Sequence, residues 1–168
     1  MLRSTVINGP RGRWILVADN QQVVYLGFPG ERPDDVYKLL RLPKDVAIAD
    51  HGVPPTLVRA VTLMLNKAVP LPARDYQLRG TDFQHRVWAA LRAIPRGQTR
   101  TYTDIARAIE QPTAVRAVAH AVATNPLPLV VPCHRVVPAA GGVGQYRGGS
   151  KLKAFLLSRE GVNPVKYN

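Results

Sequence analysis

Residues 101–125 read TYTDIARAIEQPTAVRAVAHAVATN. Two short helical patterns meet across a break of about two residues. TYTDIARAIE (101–110) stops at Gln111 and Pro112, and TAVRAVAHAVATN (113–125) stops at the following NPLP. Two short helices joined by a tight turn have the layout of a helix-turn-helix. In the second helix Val115, Val118 and Val122 recur at helical spacing and are expected to pack inward. Arg116, Ala119, His120 and Ala123 fall on another face, small except for Arg116 and His120. Such a face lets a helix lie close against a nucleic-acid groove while one arginine reaches in. An ordinary αα-hairpin with an alanine-rich exposed face is the alternative reading.

The pattern extends outward in both directions. Upstream, Thr81 and Gln84 have capping-box spacing. Phe83, Val87, Leu91 and Ile94 then form a helical stripe that Pro95 and Gly97 end. Downstream come the apolar run VVPCHRVVP (130–138) and the glycine-rich loop AAGGVGQYRGG (139–149). A last helix KLKAFLLSRE (151–160) follows, with Ser150 expected as its cap and Gly161 as its stop. The first part of the chain reads differently. RWILVAD (13–19) and QVVYLGF (22–28) are strand-like and turn near Asn20, as in a hairpin. PDDVYKLLR (33–41) and PPTLVRAVTLMLNKAV (54–69) read as helices, and PLPARDYQLRG (70–80) as irregular. The expected fold is mixed α+β. A small α/β domain with an antiparallel sheet spans 1–72, a linker 73–80, and a mainly helical domain with the helix-turn-helix 81–168.

Charge is distributed unevenly. The chain holds 23 Lys and Arg against 11 Asp and Glu. Residues 1–78 carry 10 basic and 7 acidic side chains, whereas residues 79–168 carry 13 and 4, or +9. A basic half suits a polyanion such as nucleic acid, against the alternative of a solvated basic surface. No apolar run reaches the length of a membrane span, and the N-terminus lacks the apolar stretch of a signal peptide. A soluble, cytoplasmic protein without membrane attachment is expected.

Cys133 is the only cysteine. A lone cysteine makes no internal disulfide and no Cys/Cys/His zinc cluster. It is either a small buried hydrophobe or a reactive thiol. His134 follows it, but residues i and i+1 of an extended segment face apart. A Cys133–His134 partnership therefore needs a turn at Pro132–His134 or a bridging water. The imidazole also needs a third group to fix its tautomer. Glu160 is a candidate, since it stands at a helix C-terminus where the macrodipole disfavours an anion. Lys153 lies two turns earlier on the same face.

With these residues in view, VPCHRV resembles the active-site signature of the O6-alkylguanine-DNA alkyltransferases. The similarity runs from about residue 79 to 161, through RGTDFQHRVWAALRAIPRGQTRTY, AVRAVAHAVATNPLPLVVPCHRVV and GGVGQYRGGSKLKAFLLSREG. The resemblance implies stoichiometric, single-use transfer of an alkyl group from O6-alkylguanine, with O4-alkylthymine as a further substrate. The alkyl group would pass from double-stranded DNA to Cys133. His134 would act as base through a water, and Glu160 would orient it. Asn125 would be a hinge, Arg116 the finger filling the gap left by a flipped base, and Tyr102 an aid to flipping and to the leaving group. Lys153 would support the pocket. Thr101, Ala114, Ala117 and His120 would join Arg116 and Tyr102 on the DNA face. Tyr146, Arg147, Gly148, Val136 and Pro128 would line the substrate pocket. Family members use the minor groove, which suits a small-faced helix that reads little sequence. With one cysteine, the structural zinc of some members is not expected, nor is any cofactor, nor the cysteine-bearing domain of the bifunctional regulators. A monomer is expected, with cooperative binding on DNA left open. Many members carry serine where this chain has Arg147. A non-catalytic helix-turn-helix protein that binds damaged DNA is the alternative from another class, and a Cys-His hydrolase a third.

Overall fold

Turn chemistry organises the first part of the chain. Leu2–Gly9 (β1) and Gly12–Asp19 (β2) pair antiparallel from Leu2↔Asp19 to Gly9↔Gly12. The turn between them has positive φ at Arg11 (63°) and Gly12 (141°). Asn20, at φ 53°, makes the next turn into Gln22–Gly27 (β3), as asparagine tolerates the left-handed region. Asp35–Leu39 (α1), the two-residue Ile48–Ala49 (β4) and Pro55–Lys67 (α2) complete this unit. Sheet order is β3-β2-β1-β4, with β4 parallel to β1. Pro55 opens α2 in its first turn, where a missing N–H costs nothing. Leu57, Val61, Met64 and Leu65 form its buried stripe. Leu2, Val17, Val24 and Tyr25 of the sheet form a core with Val36 and Leu40.

This computed structural model describes residues 1–163. The chain divides into two units, Met1–Arg79 and a second beginning at Gly80. Residues 164–168, the end of the expected C-terminal domain, lie outside the described residues. Residues 73–80, expected as a linker, mostly run along the first unit. Ala73–Asp75 is a single 3-10 turn, Tyr76 bridges to Val23, and the Gln77 N–H donates to the Val23 carbonyl at 2.9 Å. Among the described residues no helix is long and apolar enough to cross a membrane.

The second unit contains Asp82–Arg92 (α3), Arg100–Thr101 (β5), Tyr102–Ala108 (α4), Val115–Ala123 (α5), Val136–Val137 (β6) and Ser150–Arg159 (α6). Thr81 caps α3 in a full capping box with Gln84, and Thr101 caps α4 in another with Asp104. Helices α3, α4 and α5 pack on one another, and the buried Trp88 Nε1 donates to the Ala121 carbonyl at 2.9 Å. Glycine is required at Gly80, where a Cβ would fall 2.5 Å from the Trp88 ring. β5 and β6 pair in parallel through Arg100↔Val136 and Thr101↔Val137.

The departures from the sequence reading include two that bear on element boundaries. β1 was not foreseen, because only Leu2 and Ile7 of its eight residues are buried and no clean alternation results. Ser150 does not cap α6. Gly149 holds that place with φ 91° and ψ 148°, a conformation that favours glycine, and Ser150 is already helical.

Candidate active site

Cys133 sits on a bend. Pro132 (φ −78°, ψ 65°) centres an inverse γ-turn in which the Cys133 N–H donates to the Val131 carbonyl at 2.8 Å. Cys133–Arg135 then forms one 3-10 turn, closed by the Arg135 N–H on the Pro132 carbonyl at 3.0 Å. The turn asked for at Pro132–His134 is thus present, and the two side chains are not opposed across a strand. Asn125 fixes the approach to this bend. Fully buried just beyond α5, it donates from Nδ2 to the Val131 carbonyl and accepts the Leu127 N–H at Oδ1, both at 2.9 Å. Asn125→Ala is expected to cost roughly 2–4 kcal/mol, because it strands a buried carbonyl and a buried N–H. Urea unfolding checks this, and a loss under about 1 kcal/mol would remove the hinge from the account.

His134 turns toward the last helix. Its Nε2 lies 2.9 Å from Glu160 Oε1, with the side chains 1% and 5% exposed. A Schellman ending of α6 places the carboxylate. Gly161 (φ 81°) donates to the Ser158 carbonyl and Val162 to that of Leu157. Leu157 and Val162 share a core cluster with Val137 and Val143. Burial pushes the Glu160 carboxyl upward, but hydrogen bonds from His134 and Arg135 outweigh it and hold the group well below the usual carboxylate range. Burial lowers the His134 pKa, and Glu160 only partly opposes this. A neutral imidazole facing an ionised carboxylate must donate from Nε2. Nδ1 then carries the free lone pair, and it has no hydrogen-bond partner among the described residues.

Around the thiol, Tyr146 Oη lies 3.2 Å from Cys133 Sγ, and either group can donate. Burial of the Tyr146 hydroxyl, and next the charge of an ionised Cys133, push its pKa far up, so it stays a proton-bearing phenol. Lys153 is fully buried, donates from Nζ to the Val136 carbonyl at 2.6 Å and lies 5.6 Å from the Tyr146 ring. Burial brings it down to about 8. Tyr102, the first residue of α4, is held by the Thr101–Asp104 capping box. Its pKa is raised by burial and then by the charge of an ionised Cys133.

Helix α5 exposes Arg116, Ala117, His120 and Ala123 and buries Val118, Ala121 and Val122. Ala114 and Thr101 are half-buried at the starts of α5 and α4. Pro128 and Val136 are buried beside the Cys133 segment, and Gly148 is half-buried in the loop. Arg147 Nη1 donates to the Ala123 carbonyl at 3.0 Å and to the Asn125 carbonyl at 2.7 Å.

Sequence reasoning passed over Arg135. Its Nε donates to Glu160 Oε2 at 2.9 Å and its Nη2 to Oε1 at 2.7 Å, a two-pronged grip, while Nη1 reaches the Ile94 carbonyl at 2.8 Å. A carboxylate at a helix C-terminus needs a compensating cation, and that was the available signal.

The family model for the 6-O-methylguanine DNA methyltransferase DNA-binding domain matches residues 82–162. The crystal structure of Mycobacterium tuberculosis OGT in complex with DNA is 33% identical, with a TM-score of 0.77, over 94% of this chain and 92% of that one. The chain belongs to the O6-methylguanine DNA methyltransferase family. Its fold is that of the family, including the mixed α+β first unit that was least diagnostic in sequence. Among curated relatives, the Escherichia coli bifunctional transcriptional activator/DNA repair enzyme Ada is 45% identical over 72% of this chain and 32% of that protein. The inducible methylated-DNA–protein-cysteine methyltransferase of Bacillus subtilis is 52% identical over 48% of this chain and 45% of its own length. The chain thus spans less than half the length of these two relatives.

Proposed function

We propose that this methyltransferase-family protein repairs DNA by direct reversal, taking the alkyl group of O6-alkylguanine in duplex DNA onto Cys133 once per molecule. The observation that carries the reading is a buried lone thiol in contact with Tyr146, beside a neutral His134 whose tautomer Glu160 sets. His134 Nδ1 takes the thiol proton through one water. The sulfur forms a bond to the alkyl carbon as the carbon–O6 bond breaks. The electron pair passes to the guanine, which Tyr102 supplies with a proton. An O6 substituent is out of reach inside a stacked duplex, so the base leaves the stack, most cheaply where it already pairs poorly. The small exposed face of α5 suits a minor-groove approach with Arg116 inserted in the gap. O4-alkylthymine presents the same carbon–oxygen bond and is a second substrate. The thioether product resists hydrolysis, which makes the protein a single-use reagent needing no cofactor.

Incubation with duplex containing O6-methylguanine, followed by intact-mass measurement, tests this. One methyl per molecule on Cys133 is expected. Binding without any mass gain would instead identify a non-catalytic damage binder, and turnover beyond one equivalent a hydrolase. Arg116→Ala is expected to slow repair of duplex about tenfold or more while weakening undamaged-duplex binding less, since it removes a gap-filling group and only one phosphate-attracting charge. Equal losses in a paired gel-shift and transfer assay would reduce Arg116 to a backbone contact.

A further inference from the structure

The loop that carries Tyr146 is held at two ends. Toward α6, the Gly149 N–H donates to the Tyr146 carbonyl at 2.9 Å, and the Gly149 carbonyl accepts from the Lys153 N–H at 3.1 Å. Toward α5, the hold is Arg147, one residue past Tyr146. Its guanidinium bonds the carbonyl of Ala123, the last residue of α5, and the carbonyl of Asn125. The last carbonyls of a helix lack intrahelical donors and sit at the negative end of its dipole, so a cation there is favoured. Asn125 is also the residue whose side chain fixes Leu127 and Val131. A continuous chain of contacts therefore runs from the exposed Arg116 face of α5, through Ala123 and Asn125, to Arg147, Tyr146 and the sulfur of Cys133.

We propose that Arg147 is a positioning residue that couples the seating of helix α5 to the assembly of the pocket wall at Tyr146. The inference rests on the alkyl-transfer reading above and adds a reason why a pocket-loop position holds an arginine. A helix drawn toward DNA carries the Ala123 and Asn125 carbonyls with it, and the guanidinium transmits that placement to the tyrosine hydroxyl.

The test compares Arg147→Ala and Arg147→Lys with the unchanged protein, using O6-methylguanine in duplex DNA and the free O6-methylguanine base. A coupling residue is expected to matter about tenfold for the duplex substrate. The free base, which never engages α5, is expected to lose only about two- to threefold, the scale of one helix-end cation. Lysine keeps the charge and is expected to restore part of the duplex rate. Hydrogen exchange across residues 118–127 is expected to quicken in Arg147→Ala. Equal losses on the two substrates, or no loss on duplex, overturn the coupling. If Arg147→Ala does not fold, Arg147→Lys carries the same comparison with a smaller expected gap. If the unchanged protein transfers from neither substrate, the repair reading falls instead. Exchange at residues 118–127 then still decides the tie, which unchanged rates overturn.

Discussion

Cys133→Ser is expected to abolish methyl transfer while leaving duplex binding within about twofold of the unchanged protein. The loss follows from acidity and softness. A thiol gives up its proton to a neutral imidazole far more readily than an aliphatic hydroxyl does, and the thiolate is the stronger nucleophile. Loss of a nucleophile that acts as a unit with its base costs on the order of 10⁴-fold or more in rate. Stability should change little. Cys133 is 4% exposed, but a serine hydroxyl there inherits Tyr146 Oη as partner, and a satisfied buried hydroxyl costs about 1 kcal/mol or less. Intact mass after incubation with methylated duplex checks the chemistry, and a gel shift checks the binding. Methyl removal by the serine variant would sink the mechanism.

Much of the second unit was legible because local signals there agree with the packing. The capping boxes at Thr81 and Thr101 and the stop at Gly161 each set an element boundary by short-range chemistry. β1 was hidden for the opposite reason: its pairing with β2 supplies the structure, and burial of two residues leaves a weak trace. At the site, Cys133, His134, Asn125 and Glu160 were each picked out in advance, but their geometry was not. An adjacent pair in an apolar run suggested a strand with opposed side chains. Pro132 instead makes a γ-turn, and the pair part company, sulfur to Tyr146 and imidazole to Glu160. The family resemblance set Arg147 beside Tyr146 at the substrate pocket, without naming its partners. Its length lets the side chain leave the loop and end on the carbonyls of α5, a partner no sequence spacing encodes.

Arg135→Met is the second large effect, expected to destabilise the protein by about 3–5 kcal/mol at neutral pH, the cost of leaving one member of a buried pair behind. Methionine keeps most of the stem volume, so the loss is of charge rather than of packing. Glu160 would keep the bond from His134 and a distant Arg96 Nη1 at 4.0 Å, which is half exposed and adds little. Glu160 stands below its ordinary 4.5 because its hydrogen bonds outweigh burial. Its contribution is therefore fully present above about pH 4.5 and is lost as pH falls through the depressed folded value. Without Arg135 the folded pKa rises, and the acid limb of the stability curve moves to higher pH. The imidazole also loses a firmly held anion, so transfer should slow. Arg135→Met combined with Glu160→Gln removes the stranded charge while still accepting from His134 Nε2, and it should be more stable than Arg135→Met alone. Urea unfolding between pH 3 and 8 reads the stability effects, and intact mass after timed incubation with methylated duplex reads the transfer rate. A single variant within about 1 kcal/mol of the unchanged protein, or a double variant no better than the single, would mean that Arg135 is a surface pair of little weight.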